Sequence, residues 1–556
     1  MAASSASVQG SSPDPRRSAQ ESDPAGVEAY VEARGSWLSA FRGWLAGSED
    51  SAALGADVAF SAPTKGEDEW IERADTLLVI RSYGKEPESL PSGQFRSRLM
   101  RGRIAPGDAR VVSKVIGVRP TEGGGRVLTV WLEISGTPEF GLPPVWQLTA
   151  TVEATFSAGG ADDSSCLGVS LLSFERAQID QPTFVEKTRA TLRRDPGAAS
   201  TLGVGMDRWS SRLDDPALSA FFGHQGLAAG DVTGDGFDDL YVPMPAGVPN
   251  LLLVQDGVGG VRDIAAEAGV AWLDDTKGVL IVDMDKDGDL DLVSALGHVI
   301  VVQINDGKGV FEMGGFGAAP DQASFYSLTS GDLTRNGVPE IFGTRYVTTR
   351  YADAIPIPFE EAQNGPTNHL FSFAGGKLND VTESRFPGGT GTQFSLSASF
   401  VDADGDFYPD LYVVNDFGSN RLFTGAGRNR FKDSTEASGL ADAGAGMGAA
   451  WADYDGDGHL DVYVTNMYSS AGRRVAGQVE FASGRGSDEI DAVRRLAGGN
   501  SLFRGDGDGN FQRVEGFHAE MGRWGWGGIF TEFDGDGFPD LVVPAGFLTG
   551  PKPGDL

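Results

Sequence analysis

A nine-residue pattern of acids recurs six times in this chain and constrains its fold more than any other feature. The clearest copy reads Asp453, Tyr454, Asp455, Gly456, Asp457, Gly458, His459, Leu460, Asp461. Carboxylates stand at positions 1, 3, 5 and 9, and a glycine stands at position 6. A calcium loop needs this arrangement: hard oxygen ligands at alternate positions, a backbone carbonyl at position 7, and a glycine where the chain turns sharply. An EF-hand would add a glutamate at position 12 and a flanking helix. Here position 12 is Val464, and the flanks Ala449–Trp451 and Val462–Val464 suit strands. The loop therefore joins two strands.

The candidate ligands of this copy are Asp453, Asp455, Asp457, the carbonyl of His459, and Asp461. The copy at 283–291 offers Asp283, Asp285, Asp287, Asp289 and Asp291. The copy at 402–410 offers Asp402, Asp404, Asp406, the carbonyl of Tyr408, and Asp410. The last copy offers Glu532, Asp534, Asp536, the carbonyl of Phe538, and Asp540. The first offers Asp231, Thr233, Asp235, the carbonyl of Phe237, and Asp239. The copy at 332–340 keeps only Asp332, Asn336 and Glu340, so about five calcium ions are expected from the six loops. Calcium is favoured over magnesium because the loops supply many protein oxygens, whereas magnesium keeps several waters.

The copies begin at residues 231, 283, 332, 402, 453 and 532. A period near 50 with two long insertions marks a repeat array. A second pattern follows most loops: Asn250, Asn368, Asn420 and Asn500 each open an apolar run. A glycine-containing turn comes next, then Val261, Leu378, Phe431 or Phe511, with an acid two residues further on in three of the four (Asp263, Asp380, Asp433). One unit is thus strand, metal loop, strand, strand, turn, strand, which is a propeller blade. The expected fold is mainly β: a six- to seven-bladed β-propeller with calcium loops over 226–556, preceded by a smaller α+β domain. The last loop ends at Asp540 and the sequence at Leu556, so the final blade lacks its two outer strands. Residues 181–225 read as a linker, with Asp207–Leu213 as the strand that completes the last blade.

Residues 1–22 are rich in Ala, Ser, Pro and charge and read as disordered. Residues 23–180 read as the α+β domain. Asp23 and Pro24 cap a helix whose stripe includes Val27, Tyr30, Val31, Trp37, Leu38, Phe41, Trp44 and Leu45. Arg96, Arg98, Arg101 and Arg103 alternate as on one face of a strand. Four long β segments follow, 111–119, 126–134, 145–157 and 166–176. In element order this domain resembles the cone-shaped nuclear-transport-factor-like fold.

The array resembles FG-GAP/VCBS-type repeats, the calcium-loop propeller repeats also found in integrin alpha subunits. The closer resemblance is to bacterial relatives of cartilage acidic protein. It rests on the stretch from Asn420 to Leu440, on Gly446 to Gly458, on Asn466 to Arg473, and on Gly525, Trp526 and Gly527 ahead of the last loop. It covers roughly residues 226–556. The chain departs from that family in the weakened loop at 332–340 and in lacking the family's cysteine-bearing C-terminal domain. The resemblance implies repeat type and fold; it implies no activity.

Net charge is −33, which argues against nucleic acid and anionic membranes as partners. One cysteine, Cys166, rules out an intramolecular disulfide and reads as a small buried hydrophobe. No apolar run is long enough to span a membrane, and no signal-peptide region is seen. The sequence holds no nucleophile elbow, no zincin motif and no phosphate loop. Trp451, Trp524 and Trp526 read as packing between blades. The expected role is therefore non-enzymatic: a monomeric calcium-binding module for adhesion to protein or carbohydrate, placed outside the cell, in the periplasm or in the envelope. Its loop-rich face or the insertions at 346–367 and 469–499 would meet the partner. The second reading is an enzyme or small-ligand binder whose pocket lies in the N-terminal domain.

Overall fold

The computed structural model describes residues 30–46, 54, 58–63, 69–73, 77–83, 87–100, 110–136, 145–158, 165–179, 187–202, 226–346, 361–425, 430–469, 486–516, 519–520, 522, 524–533 and 537–545. The chain is mainly β and divides into two compact units.

The N-terminal unit is built on an eight-stranded sheet. Arg110–Pro120, Arg126–Gly136, Val145–Phe156 and Cys166–Ile179 form its antiparallel meander, the four long segments read from the sequence. Side chains alternate across a strand, and Leu128, Val130, Leu132 and Ile134 all face inward on this period of two. Leu148, Ala150, Val152, Ala154 and Phe156 do the same on the next strand. The helix Gly35–Ala46 buries Phe41, Trp44 and Leu45 in the same core. Trp44 lies 5.1 Å from Phe60 and 6.3 Å from Phe95 between ring centroids.

Arg96 and Arg98 lie on a helix, Ser92–Met100, and not on a strand, while Arg101 and Arg103 lie outside the described residues. Phe95 and Leu99, four apart, are both buried, and that helical spacing outweighs the alternation of the arginines. Arg96 donates from Nε to the Leu45 carbonyl at 3.1 Å. Cys166 is buried, and burial pushes its thiol up to about 12, which leaves it inert as a nucleophile.

The second unit holds five four-stranded antiparallel sheets, each made of four consecutive strands, and one two-stranded sheet. The first strands are Ala228–Gly230, Thr276–Val282, Phe325–Gly331, Ser395–Val401, Gly446–Ala452 and Ile529–Thr531. Each lies beside the first strand of the next sheet. Glycine permits this approach: a Cβ on Gly278 would sit 2.8 Å from the Leu328 backbone nitrogen. Separate apolar clusters fill the successive gaps between sheets. Tyr241, Leu252 and Val279 join the first to the second; Val293, Phe325 and Phe371 join the second to the third. Phe342, Leu411 and Phe431 join the third to the fourth, and Tyr412, Val462 and Phe511 the fourth to the fifth. Trp451 lies in the last of these gaps, edge-on to Tyr412 and Phe511, with its Nε1 donating to Ser399 Oγ at 2.9 Å. Trp524 and Trp526 pack with Tyr326, Leu396 and Met447.

The sixth sheet has two strands among the described residues, Ile529–Thr531 and Asp540–Val542. Its expected donor strand, Asp207–Leu213, lies outside the described residues. The segment just before it is docked rather than free. Asp195 accepts the Ala198 N–H at 2.9 Å, capping the helix Pro196–Leu202, and accepts the Asp263 N–H at 2.8 Å. Leu192 and Ala198 pack on Leu251, Leu253 and Val261 of the first sheet.

The recurring asparagine has a structural explanation. Asn420 Oδ1 accepts the Asn415 N–H at 2.7 Å, and its Nδ2 donates to Tyr412 Oη at 3.1 Å. Asn250 binds the Met244 N–H and Tyr241 Oη in the same way, and Asn500 binds the Asn466 N–H and Tyr463 Oη. Asn368 departs from the pattern: it accepts the Arg345 N–H but donates to Ser395 Oγ, because Phe342 replaces the tyrosine. All four side chains are buried. Removing one strands two buried polar groups. Asn420→Ala is therefore expected to cost about 2–4 kcal/mol in urea unfolding, and Tyr412→Phe on top of it to add less than it does alone.

Candidate metal-binding loops

Every loop joins the first strand of a sheet to the second, and all six share one wiring pattern. The carboxylate at position 9 accepts the N–H of position 2: Val232 to Asp239, Met284 to Asp291, Leu333 to Glu340, Ala403 to Asp410, Tyr454 to Asp461 and Phe533 to Asp540, at 2.7–3.2 Å. In four sheets its second oxygen accepts an N–H from the third strand, namely those of Gln255, Asn305, Gly425 and Gly505. The position-1 carboxylate accepts the N–H of position 6, as Gly236 gives to Asp231, Gly288 to Asp283, Gly337 to Asp332, Phe407 to Asp402, Gly458 to Asp453 and Gly537 to Glu532.

The backbone enters the left-handed region at two positions in each of the first five loops. Position 6 has φ of 84–94° at Gly236, Gly288, Gly337, Gly458 and Gly537, and position 4 has φ of 71–74° at Gly234, Gly405 and Gly456. Lys286 and Arg335 take position 4, and Phe407 position 6, at φ of 53–69°. A side chain there costs roughly 1–2 kcal/mol, so these three residues are held by the loop against their own preference.

Positions 1, 3 and 9 converge. In Asp283, Asp285 and Asp291, in Asp402, Asp404 and Asp410, and in Asp453, Asp455 and Asp461, one oxygen from each residue lies within 4.8 Å of the others. Two carboxylates at that separation repel by about 3 kcal/mol at an effective dielectric near 20. Burial and this repulsion together raise the position-9 acids: Asp291 to about 6 and Asp410 to about 7, with Asp239, Glu340 and Asp461 moved the same way. Asp285 and Asp404 also rise from desolvation and their neighbours' charge.

Position 5 stands outside the three converging groups. Asp235, Asp287, Asn336, Asp406 and Asp457 accept the N–H of their own position 7 at 2.7–3.0 Å. The side chains of position 7 turn toward their own sheet's outer hairpin: Phe237 lies over Gly257, Asp289 over Gly307 and His459 over Gly507. Asp534 and Asp536 lie outside the described residues.

The donors present fit a hard divalent cation. Asp402 Oδ1, Thr233 Oγ1 and Thr334 Oγ1 are buried oxygens without a hydrogen-bond partner, at positions 1, 3 and 3 of their loops. Thr334 was missed in the sequence, although Thr233 at the same position of the first loop was the signal for it. With Thr334 included, the 332–340 loop has an oxygen at every expected position.

Neighbouring loops touch. The carbonyl of Gly307 meets Gly234, that of Gly507 meets Gly405, and Gly509 lies against Asp404. Asn305 Nδ2 donates to the Val232 carbonyl at 2.8 Å. Arg335 donates to the Phe407 carbonyl at 2.6 Å and covers the Tyr408 ring at 4.3 Å.

Residues 402–464 and 484–543 match the FG-GAP-like repeat family. These two segments are FG-GAP-like repeats. Each matched segment contains the strand–loop–strand unit and its carboxylates. No curated protein matches the chain. Among solved structures, the chain is similar to the V. cholerae biofilm matrix protein Bap1 at 13% identity, with 53% of this chain covered and a TM-score of 0.28. The match spans 40% of Bap1. A protein from Lactobacillus plantarum is similar at 9% identity, with 73% of this chain and 95% of that one covered and a TM-score of 0.31. At these scores neither bears on how the sheets are arranged.

The raised acids fix the sign of a pH effect. A carboxylate raised from 3.8 to about 7 in the folded chain, as at Asp410, adds stability that is full below about pH 4 and lost as pH climbs through 7. Asp291 adds the same effect through about 6. In chelator, the unfolding midpoint is therefore expected to rise as pH falls from about 8 to about 5.5. In excess divalent cation, which binds the ionised form, the trend is expected to reverse. Thermal melts across this range in both buffers check it.

Proposed function

We propose that the six sheets are blades of one β-propeller, six or seven in number, whose loops bind calcium and whose loop face engages a protein or carbohydrate partner. The placement of all first strands side by side supports the propeller reading, since blades meet through their innermost strands. The carboxylates of positions 1, 3, 5 and 9, with the position-7 carbonyl, would hold each ion. Its charge would offset the repulsion among acids that the bare loop must otherwise relieve by protonation. Loops of this kind fill at the calcium levels found outside the cytosol, which supports a secreted, periplasmic or envelope location. Among the described residues no helix is long and apolar enough to cross a membrane.

One observation carries the binding role. Phe237, Phe407 and Phe538 project from the metal loops at 46%, 83% and 56% exposure. Apolar rings displayed beside ion sites on one face are a partner surface of the kind that metal binding can order. We read the role as non-enzymatic: the position-1 and position-9 acids of the loops accept backbone N–H groups, as suits a binding loop rather than an acid–base pair. Of the insertions at 346–367 and 469–499, residues 347–360 and 470–485 lie outside the described residues. Both leave from the far end of second strands, Glu340–Arg345 and Asp461–Asn466, away from the loops.

Excess calcium is expected to raise the unfolding midpoint well above that in magnesium or chelator, at roughly 2.7 kcal/mol per site at 100 times the dissociation constant. Coincident curves would end the calcium reading. The variant Phe237→Ser/Phe407→Ser/Phe538→Ser is expected to keep that rise but lose calcium-dependent retention on cells and glycan arrays. Retention equal to the wild type would move the partner surface elsewhere.

A further inference from the structure

The loop at 453–461 differs from the others in one respect that the repeat pattern does not require. Arg504, on the third strand Ser501–Gly505 of the same sheet, reaches into it. Its Nε lies 2.6 Å from Asp455 Oδ2 and its Nη2 2.7 Å from Asp457 Oδ2. One guanidinium thus spans positions 3 and 5, using one nitrogen for each carboxylate. Asp455 is also a member of the converging group with Asp453 and Asp461.

No other described sheet places a cation at this register. The residue that follows it donates to the position-9 acid in four sheets, Gly505 to Asp461, Gln255 to Asp239, Asn305 to Asp291 and Gly425 to Asp410. The equivalents of Arg504 are therefore Val254, Ile304 and Thr424, and in the third sheet the pairing of Ile341 with Phe371 makes it Ser372. The other cations on this face point away from their own clusters. Lys286 lies along Gly337 of the next loop, and Arg335 crosses to Phe407 and Tyr408.

We propose that Arg504 is a resident competitor for the ion of this loop, so that the 453–461 site binds calcium more weakly than those at 283–291 and 402–410 and stays folded without it. The inference rests on the calcium reading above. A divalent ion and a guanidinium cannot both take Asp455 without repelling each other at close range. The side chain of Arg504 is half-exposed, so an ion that takes Asp455 can displace the guanidinium into solvent. The loop would then hold its shape at low calcium on the guanidinium and exchange it for the ion at high calcium, whereas the other two clusters have no such substitute. This makes it a graded site rather than a permanently filled one.

Calorimetric calcium titration of the full chain, of Arg504→Gln and of Asp455→Asn/Arg504→Gln tests the idea, alongside thermal melts in chelator. In Arg504→Gln one site is expected to tighten about five- to tenfold while the others hold, and that tightened phase should be lost in the double variant. In chelator the single variant should melt below the wild type, and excess calcium should close the gap. A single-variant isotherm that superimposes on the wild type, or that weakens, overturns the role of Arg504 while leaving calcium binding intact. A wild type that takes up no calcium overturns both readings. A lower melt of Arg504→Gln in chelator would then mark the pair as a purely structural clasp.

Discussion

The position-9 carboxylate is the interaction on which the repeat array depends. It is buried at the base of five loops, as Asp239, Asp291, Glu340, Asp410 and Asp461, and its two oxygens serve different masters. One accepts the N–H of position 2 and so closes the loop. In four sheets the other accepts an N–H of the third strand and so fixes that strand's register against the second. A neutral amide could accept at only one oxygen, and a hydrophobe at neither. The sheet therefore needs an acid there, and burying that acid creates the charge problem that a cation would relieve. In the proposed calcium-bound form, folding and ion binding would meet in the same atom pair.

The sheets themselves are held in quasi-independent steps. Each of the four gaps between the four-stranded sheets has its own apolar cluster, and an asparagine–tyrosine latch ties the second strand to the third in three of those five sheets. Stability of this kind is close to a sum of local terms with nearest-neighbour coupling. The coupling is visible in the loops, where the outer hairpin of one sheet lies against the loop of the sheet before it.

Much of this was legible in the sequence because its causes are local. The acids at positions 1, 3, 5 and 9 and the apolar runs around them determine a strand–loop–strand unit, and the strands appear where those runs lie. The asparagine was visible as a pattern, but its reason was not, since Tyr412 and Asn420 become partners only once the second and third strands pair. The need for a left-handed residue at position 4 was hidden by Lys286 and Arg335, which occupy it without being glycine. Arg504 was invisible for the same kind of reason: its partners lie 49 and 47 residues away and meet it only through the sheet register. The arginine-rich helix was misread because alternating charge looks like a strand when the buried pair, Phe95 and Leu99, is not weighed first.

The contact between hairpins and neighbouring loops divides the array into a rigid end and a permissive one. The turns at 256–260, 306–310 and 506–510 all span five residues, and in the last two the glycine carbonyls meet the loop of the preceding sheet. Lengthening either turn would drive it into its neighbour. The connections from second to third strand leave from the opposite end, and there the chain already varies from the two-residue turn at Gly297 and His298 to more than thirty residues between Asn466 and Ser501. Descendants of such a chain could rewrite that end repeatedly, acquiring new contacts without moving a single carboxylate.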